Sequence, residues 1–192
     1  MNTGLIIALV IVGVIILLGI IIASVYNSLV RTNERVEEAW SDITVQLKYR
    51  ADLIPNVVET VKGCAKHEKE TFEMVTAARS ASMGAKTVKA AAEAEGEMQA
   101  ALGRIFAIAE AYPELKANEN FVKLQEQLQD VEDKIQAARR FYNSGCKELN
   151  AKIKTFPTNI INNMFGHFKK RDYFEVNEAE KAKIDKAPEV KF

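Results

Sequence analysis

The residues best suited to a catalytic or metal site lie close together in one stretch, at Cys64 and His67. Zinc prefers thiolate and imidazole ligands, and a spacing of three residues places the two on one face of a helix. Glu70 and Glu73 would add carboxylate oxygens. A zinc site needs three or four protein ligands, however, and the second histidine, His167, is distant in sequence. The pattern therefore favours a helix surface without a metal.

Recognised catalytic motifs are missing from the sequence. His67 and Glu68 begin the H-E-x-x-H motif of zinc proteases, but Thr71 stands where the second histidine is required. The E-x-x-H pairs of di-iron bundles, the G-x-S-x-G elbow, the P-loop and the G-x-G-x-x-G loop do not occur either. The sequence therefore predicts a protein that is not an enzyme and holds no cofactor.

The charge balance excludes one class of partner. Lys and Arg number 26, and Asp and Glu also number 26, so the formal net charge is zero. A balanced chain creates no global field that attracts polyanions. We expect no nucleic-acid partner.

An apolar run occupies the N-terminal part of the chain, from Leu5 to Ala23, without a charged residue. About 19 residues of helix measure roughly 28 Å, which matches the hydrocarbon core of a bilayer. Tyr26 follows where an interfacial aromatic would lie. The alternative is a cleaved signal peptide, but the run is long, no Lys or Arg precedes it and no clear A-x-A site follows. We predict a single-pass transmembrane anchor over residues 1–26.

The orientation follows from the basic residues beyond this run. Arg31, Arg35, Lys48 and Arg50 come after it and none comes before, so the positive-inside rule places the larger domain in the cytoplasm. Acidic residues such as Glu34 interrupt the signal but contribute little to the rule.

Spaced apolar residues replace the continuous run after residue 27. Intervals of three and four place them on one face of a helix, and four such stripes need each other for burial. We predict an all-α fold with an antiparallel four-helix bundle over residues 27–155. The stripes are Val36, Trp40, Ile43, Leu47; Ile54, Val57, Val61, Ala65, Phe72, Val75; Met98, Leu102, Ile105, Ala109, Tyr112; and Leu124, Leu128, Val131, Ile135, Ala138, Tyr142, Leu149, Ile153.

Breaks between the helices are predicted from turn and capping residues. Asp52 with Pro55 indicates either a turn that starts a second helix or a kinked continuous helix. The small and polar stretch 80–96 indicates a loop flanked by weak helix, and Gly145 an interruption of the fourth helix. The other predicted signals are the Tyr112-Pro113 boundary, a helix cap at Asn118 or Asn120, and a helix end at Phe156-Pro157.

The C-terminal part is predicted to comprise a short docking helix and a basic-aromatic segment over residues 156–174, then a flexible tail over 175–192. The basic residues Lys169, Lys170 and Arg171 would suit an anionic membrane surface. In the alternative, which we favour, Phe165 and Phe168 pack on the bundle and the basic side chains stay solvated.

A second group of candidate interaction residues lies near the first predicted turn. Arg50, Asp52 and Asn56 would form a polar turn for partner contact, and an exposed Trp40 would anchor an interface. In the alternative, Asn33, Arg50 and Glu68, which lie near stripe positions where burial would demand a partner, fix helix register or sit at the edge of the stripe. Trp40 would then belong to the core.

Several motifs together resemble one family. The sequence is similar to the LemA family of bacterial membrane proteins in motifs that occur in order along nearly the whole chain, with a weak stretch at 82–97. They are YNSLV at 26–30, VEEAWSDI at 36–43, RADLIPNVVETVKG at 50–63, YPELKANENF at 112–121, ARRFYN at 138–143, FPTN at 156–159, MFG at 164–166 and YF at 173–174.

The resemblance implies a membrane helix followed by a long helical bundle in the bacterial cell membrane, with no established biochemical activity. Some family members carry a lipoprotein cysteine before the Tyr-Asn pair, whereas this chain has Ala23-Ser24-Val25 there and keeps the spanning helix. We expect a membrane-anchored, non-enzymatic scaffold whose partners are the lipid bilayer and further copies of itself. The alternative is a sensor or accessory subunit of a membrane enzyme such as a protease, with another membrane protein as partner.

Overall fold

A single helix, α1, runs from Thr3 to Cys64 in the computed structural model, which describes residues 3–175. It is followed by helices α2 (Lys69–Gly84), α3 (Val88–Ala111), the short α4 (Pro113–Lys116) and α5 (Glu119–Lys152). A last short helix, α6 (Thr158–Ile161), leads into one π-helical turn (Asn162–Gly166). Strands do not occur within the described range, so the predicted all-α class is confirmed.

Of the two alternatives at Asp52, the structure shows the continuous helix and not the turn, because α1 runs through this position with Pro55 inside it. Proline has no N–H and so leaves the carbonyl of the residue four positions earlier, Ala51, without its helical donor. The side chain of Arg79 on α2 replaces that donor, with its Nε at 2.7 Å from the Ala51 oxygen. A side chain from another helix thus satisfies the group that would otherwise favour a break.

The stretch 80–96, predicted as a loop flanked by weak helix, contains a loop of only three residues and is otherwise helical. Helix α2 extends to Gly84, and only residues 85–87 separate it from α3. Thr87 caps α3 by accepting a hydrogen bond from the Ala90 N–H at 3.2 Å. The alanines of this stretch are good helix formers, and Ala91 and Ala94 are buried. Small size here allows close packing of helices, and α2 and α3 do contact each other.

Helix α5 begins where its capping residue predicts. The Asn118 side-chain oxygen accepts hydrogen bonds from the N–H groups of Asn120 and Phe121, at 2.9 and 3.2 Å. The boundary at Tyr112-Pro113 and the helix end just before Phe156-Pro157 are confirmed as well.

The predicted interruption at Gly145 is wrong, since α5 passes through it unbroken. A side-chain Cβ on Gly145 would lie 3.1 Å from Cγ2 of Val36 on α1. Glycine therefore serves a close approach of two helices here.

The described chain divides into two units, each with its own core. Unit 1 holds residues up to Ala39 together with Asn143–Arg171, and unit 2 holds Trp40–Tyr142 with the residues from Asp172 onward. The predicted stripe residues supply most of the core of unit 2, whereas in unit 1 they supply only Val36 and Leu149. The core of unit 1 contains Leu29, Val36, Ala39, Cys146, Leu149 and Ile161. The core of unit 2 contains Ile43, Leu47, Ile54, Val57, Val61, Phe72, Val75, Met98, Leu102, Ile105, Leu115, Leu128, Val131 and Ile135.

Helices α1 and α5 run antiparallel within unit 1. Gly145 lies opposite Val36, the Glu148 carboxylate lies 3.5 Å from the Thr32 hydroxyl, and Lys152 Nζ lies 3.1 Å from the Ser28 hydroxyl. Each turn forward along α5 thus corresponds to one turn backward along α1. The predicted domain boundaries at 26, 155 and 174 stay predictions, and nearly all of the predicted tail lies outside the described residues.

The Arg79 contact predicts a specific coupling to Pro55. Replacing Arg79 by Ala leaves the buried-side carbonyl of Ala51 without a donor, and we expect the free energy of unfolding to fall by about 1–3 kcal/mol. In a Pro55→Ala background the helix regains its own N–H donor, so the same Arg79→Ala change should cost clearly less. Denaturant unfolding of the four variants in mild detergent measures the coupling. Equal costs in both backgrounds would contradict this role of Arg79.

Candidate functional site: a buried charge cluster and the exposed helix surfaces

A charged cluster lies in the core of unit 2, around Arg50 of α1. Its guanidinium makes a two-point contact with Glu95 of α3, with Nη1–Oε1 at 2.9 Å and Nη2–Oε2 at 2.5 Å. Nη1 also donates to Glu132 of α5 at 2.9 Å. Gln99 donates to Glu95 at 3.1 Å, and Gln136 donates to Glu132 at 2.9 Å. One cation therefore joins three helices through two carboxylates.

The charged side chains of this cluster differ in how deeply they are buried. Arg50 is 1% exposed and Glu95 is buried, whereas the Glu132 side chain is 26% exposed. Burial lowers the pKa of Arg50, but the hydrogen bond and charge of Glu95, aided by Glu132, outweigh it, so the pKa lies above its ordinary value. Arg50 Nε has no hydrogen-bond partner. The guanidinium therefore stays charged, and its two acidic partners offset the cost of burying that charge.

The spacing of the apolar stripe identifies Arg50 as a buried position. Intervals of four, three and four connect Ile43, Leu47, Arg50 and Ile54, so Arg50 occupies a core position of the helix. The burial of Arg50 contradicts the alternative in which it sits at the edge of the stripe. Sequence reasoning missed Glu95, because it assigned that stretch to a loop.

The other members of the predicted polar turn do not join Arg50. Asp52 and Asn56 are exposed and lie one turn apart on the outer face of α1. The predicted polar turn is wrong for a physical reason, because a continuous helix directs Arg50 inward and the other two outward.

Trp40 belongs to an aromatic cluster in unit 2 and is only half-exposed. Its ring lies 5.8 Å from that of Tyr142 and 6.5 Å from that of Phe174. The Arg139 guanidinium lies over the Phe174 ring at 4.7 Å, a cation–π distance. The Tyr142 hydroxyl donates to the Asp172 carbonyl at 3.0 Å. Trp40 thus packs against the chain after α6, but its intermediate exposure makes it neither a fully buried core residue nor a fully exposed one.

The segment after the π-helical turn is held by two buried asparagine side chains in unit 1. Asn162 donates to the Phe168 carbonyl at 3.1 Å and accepts from the Phe168 N–H at 2.9 Å. Asn150 donates to the Arg171 carbonyl at 2.9 Å and accepts from its N–H at 2.8 Å. Each amide therefore binds one residue of the segment through both backbone groups, as a neighbouring strand would.

The three basic candidates behave differently. Arg171 is half-buried and pairs with Asn33 and Glu37 of α1. Lys169 and Lys170 are exposed. The structure thus assigns Arg171 to internal contacts and leaves the two lysines on the surface.

The expected packing of the two phenylalanines holds for one of them. Phe168 lies against Tyr26 of α1, with 6.5 Å between ring centroids. Phe165 is 53% exposed, so its predicted packing on the bundle is wrong. The neighbouring side chains of Phe156, Ile160 and Met164 are exposed too.

The residues first singled out for metal chemistry do not converge. His67 is exposed and Cys64 is half-buried near the end of α1. Over residues 3–175, no three His, Cys, Asp or Glu side chains lie close enough to hold a metal ion.

The first part of α1 has the properties of a membrane span. Of the described helices it is the one long and apolar enough to cross a bilayer. The large apolar side chains between Leu5 and Ile22 are all exposed to the surroundings.

The sequence model of the LemA family matches residues 39–192 of the chain. The chain belongs to the LemA family. The match covers most of the chain and begins beyond the apolar run. It confirms the family that the motifs indicated.

Individual relatives of this LemA-family chain are distant in sequence. It is 26% identical to Protein LemA of Metamycoplasma hominis over 160 residues, which cover 83% of this chain and 73% of that protein. It is also 26% identical to Magnetosome protein MamQ of Magnetospirillum gryphiswaldense over 175 residues, 78% of this chain and 64% of that protein. Magnetosome protein MamQ 2 of Paramagnetospirillum magneticum matches equally, over 176 residues with the same coverage. The chain thus spans less than two thirds of the MamQ proteins.

The buried cluster of this LemA-family chain predicts a large and coupled effect on stability. Arg50→Met leaves Glu95 charged and unpaired in the core, and we expect it to lower the free energy of unfolding by about 3–5 kcal/mol. Glu95→Leu should also be costly, but less so, because the Arg50 guanidinium keeps its contact with Glu132. The double variant removes both charges and should cost much less than the sum of the two. Denaturant unfolding in mild detergent measures all three.

A surface ion pair supplies the control for this cycle. Lys134 contacts Asp130 at 2.7 Å one turn away on α5, and both side chains are well exposed. Lys134→Met should leave stability nearly unchanged, because water and salt screen such a pair. If Arg50→Met is as mild as Lys134→Met, the cluster does not stabilise the fold.

Proposed function

We propose that this LemA-family chain is a non-enzymatic scaffold, anchored in the bacterial cell membrane by α1 and self-assembling through the surfaces of its helices. One observation carries the proposal: a single unbroken helix contains both the exposed apolar run and the buried stripe of the folded part. A continuous helix connects the anchor to the folded part without a flexible linker.

The architecture that we propose is an antiparallel four-helix bundle of α1, α2, α3 and α5. Two sets of contacts within unit 2 support it, since Arg79 links α2 to α1, and Arg50 links α1 to both Glu95 on α3 and Glu132 on α5. Short connections between consecutive long helices favour alternating directions.

The absence of a reaction is part of the proposal. The buried Glu95 and the partly exposed Glu132 are both bound to Arg50, and Gln99 and Gln136 donate to them as well. Carboxylates engaged in this way within the fold support a role in packing and not in acid–base chemistry. The names of the relatives, Protein LemA and magnetosome protein MamQ, specify no reaction.

We place the folded part on the cytoplasmic side of the membrane. Arg31 and Arg35 are exposed on α1 shortly after the apolar run, and the described residues before that run carry no basic side chain. This distribution supports the assignment by the positive-inside rule.

The surface that we propose for self-assembly lies on α1 in unit 2. Val45 and Tyr49 are exposed one turn apart, so they form one apolar face on a helix whose opposite face is buried. Anchoring in a common membrane raises the effective concentration of such faces, and weak contacts then suffice for association. Partners in this proposal are the bilayer and further copies of the chain.

The mass of the full-length protein in mild detergent tests the assembly. We expect a discrete oligomer above the 21.4 kDa of one chain, corrected for bound detergent. Val45→Glu with Tyr49→Glu should give a monomer, because charges at the contact oppose its burial. Val122→Glu, at an exposed apolar position of α5, is the matched control and should keep the oligomer.

A monomeric wild type at every concentration would overturn self-assembly. In that event the anchor and the helical surfaces would fit the second hypothesis, an accessory subunit that binds a different membrane protein. Crosslinking in membranes would then recover a heterologous partner in fixed stoichiometry.

A further inference from the structure

A second apolar surface lies outside the anchor, on the segment that follows α5. The exposed side chains of this surface, here called the apolar cap, are Phe156, Ile160, Met164 and Phe165. Phe156 is 79% exposed and Phe165 is 53% exposed, which is high for aromatic side chains in a folded segment.

The apolar cap is one face of an ordered element. Ile161 and Asn162 of the same segment are buried on the opposite side. The segment therefore has an inner face bound to unit 1 and an outer face with four large apolar side chains.

The fold fixes the position of this segment along α1. Lys152, the last residue of α5, contacts Ser28 and Thr32 of α1, at 3.1 and 2.7 Å. Since α5 runs antiparallel to α1 in unit 1, the chain leaves α5 while heading toward the apolar run. Phe168 then contacts Tyr26, which is three residues beyond the end of that run at Ala23. Three residues of helix correspond to about 4.5 Å along the axis.

A distance of this size lies within the interfacial layer of a bilayer. The polar layer extends roughly 5–7 Å beyond the hydrocarbon core on each side, and aromatic side chains accumulate there. The apolar cap is thus continuous with the surface that the anchor presents to lipid. The exposed Lys169 and Lys170 follow it directly, as cationic groups near anionic headgroups do.

We propose that the apolar cap inserts into the interfacial layer of the leaflet from which α1 emerges, as a second contact of this chain with lipid. The inference depends on the proposed membrane anchor and extends it. The occupant of the surface is the bilayer, because the surface lies at the level where the spanning segment ends. Burial of four large apolar side chains in lipid accounts for their exposure in the folded protein.

The surrounding contacts hold the apolar cap in place. Asn162 binds Phe168 through both backbone groups, and Asn150 binds Arg171 in the same way. His167 adopts a left-handed conformation with φ of 51°, which reverses the chain between them. The cap is thus fastened to α1 and α5 and tilts with the anchor.

Tryptophan fluorescence in lipid vesicles tests the proposal on the full-length chain. The native Trp40 is first replaced by Phe, and a single Trp is placed at Phe165, at Ile15 in the middle of the apolar run, or at Phe141, an exposed phenylalanine of α5 in unit 2. The vesicles contain phosphatidylcholine and phosphatidylglycerol, with or without bromine atoms on the acyl chains. Bromine quenches a tryptophan that is in contact with the acyl region.

We expect Ile15→Trp and Phe165→Trp to be quenched by brominated lipid, with the stronger quenching of Phe165→Trp by bromines near the headgroup. Phe141→Trp should emit as in water and remain unquenched. Quenching of Ile15→Trp without quenching of Phe165→Trp would overturn the cap proposal while the anchor stands. An unquenched Ile15→Trp would overturn the anchor itself. A blue-shifted but unquenched Phe165→Trp would show protein against the cap, and would also overturn the proposal.

Discussion

The fold of this chain depends on how it neutralises Arg50, a cation fully enclosed in the core of unit 2. Burial of an unpaired charge costs several kcal/mol, so the three helices that carry Arg50, Glu95 and Glu132 must meet in one register. The same requirement recurs elsewhere in the molecule. Pro55 leaves a carbonyl without a donor and Arg79 supplies one, while two buried asparagines satisfy the backbone of the segment after α6. Long helices of uniform apolar stripes slide easily past each other, and these polar contacts select one alignment.

The sequence predicts the helices and the core well, because apolar periodicity reports directly on burial. Most stripe residues, such as Ile43, Val57, Met98 and Val131, are buried, and the cap at Asn118 is where local chemistry requires it. The errors in helix boundaries share one cause, namely a contact with a distant residue. Gly145 is read as a break, but it serves the close approach of Val36.

The sequence predicts only part of the candidate site. The position of Arg50 on a stripe indicates a buried charge that needs partners, yet nothing local identifies which acidic residues provide them. Glu95 lies in an alanine-rich stretch whose small residues suggest a loop as readily as a closely packed helix. Pro55 likewise suggests a turn until Arg79 is brought beside the open carbonyl. For Phe165, the pattern of aromatic and basic residues fits both packing and a membrane surface, and its exposure in the structure contradicts packing.

We propose that the membrane organises this molecule. Helix α1 carries an apolar run and a core stripe without interruption, and family membership in LemA adds relatives without assigning a reaction. The central claim is that copies of this chain, each anchored in the same membrane, associate through the exposed face of α1 in unit 2. Oxidative crosslinking of Val45→Cys in bacterial membranes, with Cys64 and Cys146 replaced by Ser and Ala, tests it most directly. The account predicts a product of twice the chain mass that disappears when Tyr49→Glu is added. Crosslinks to other proteins alone, or none, would contradict it.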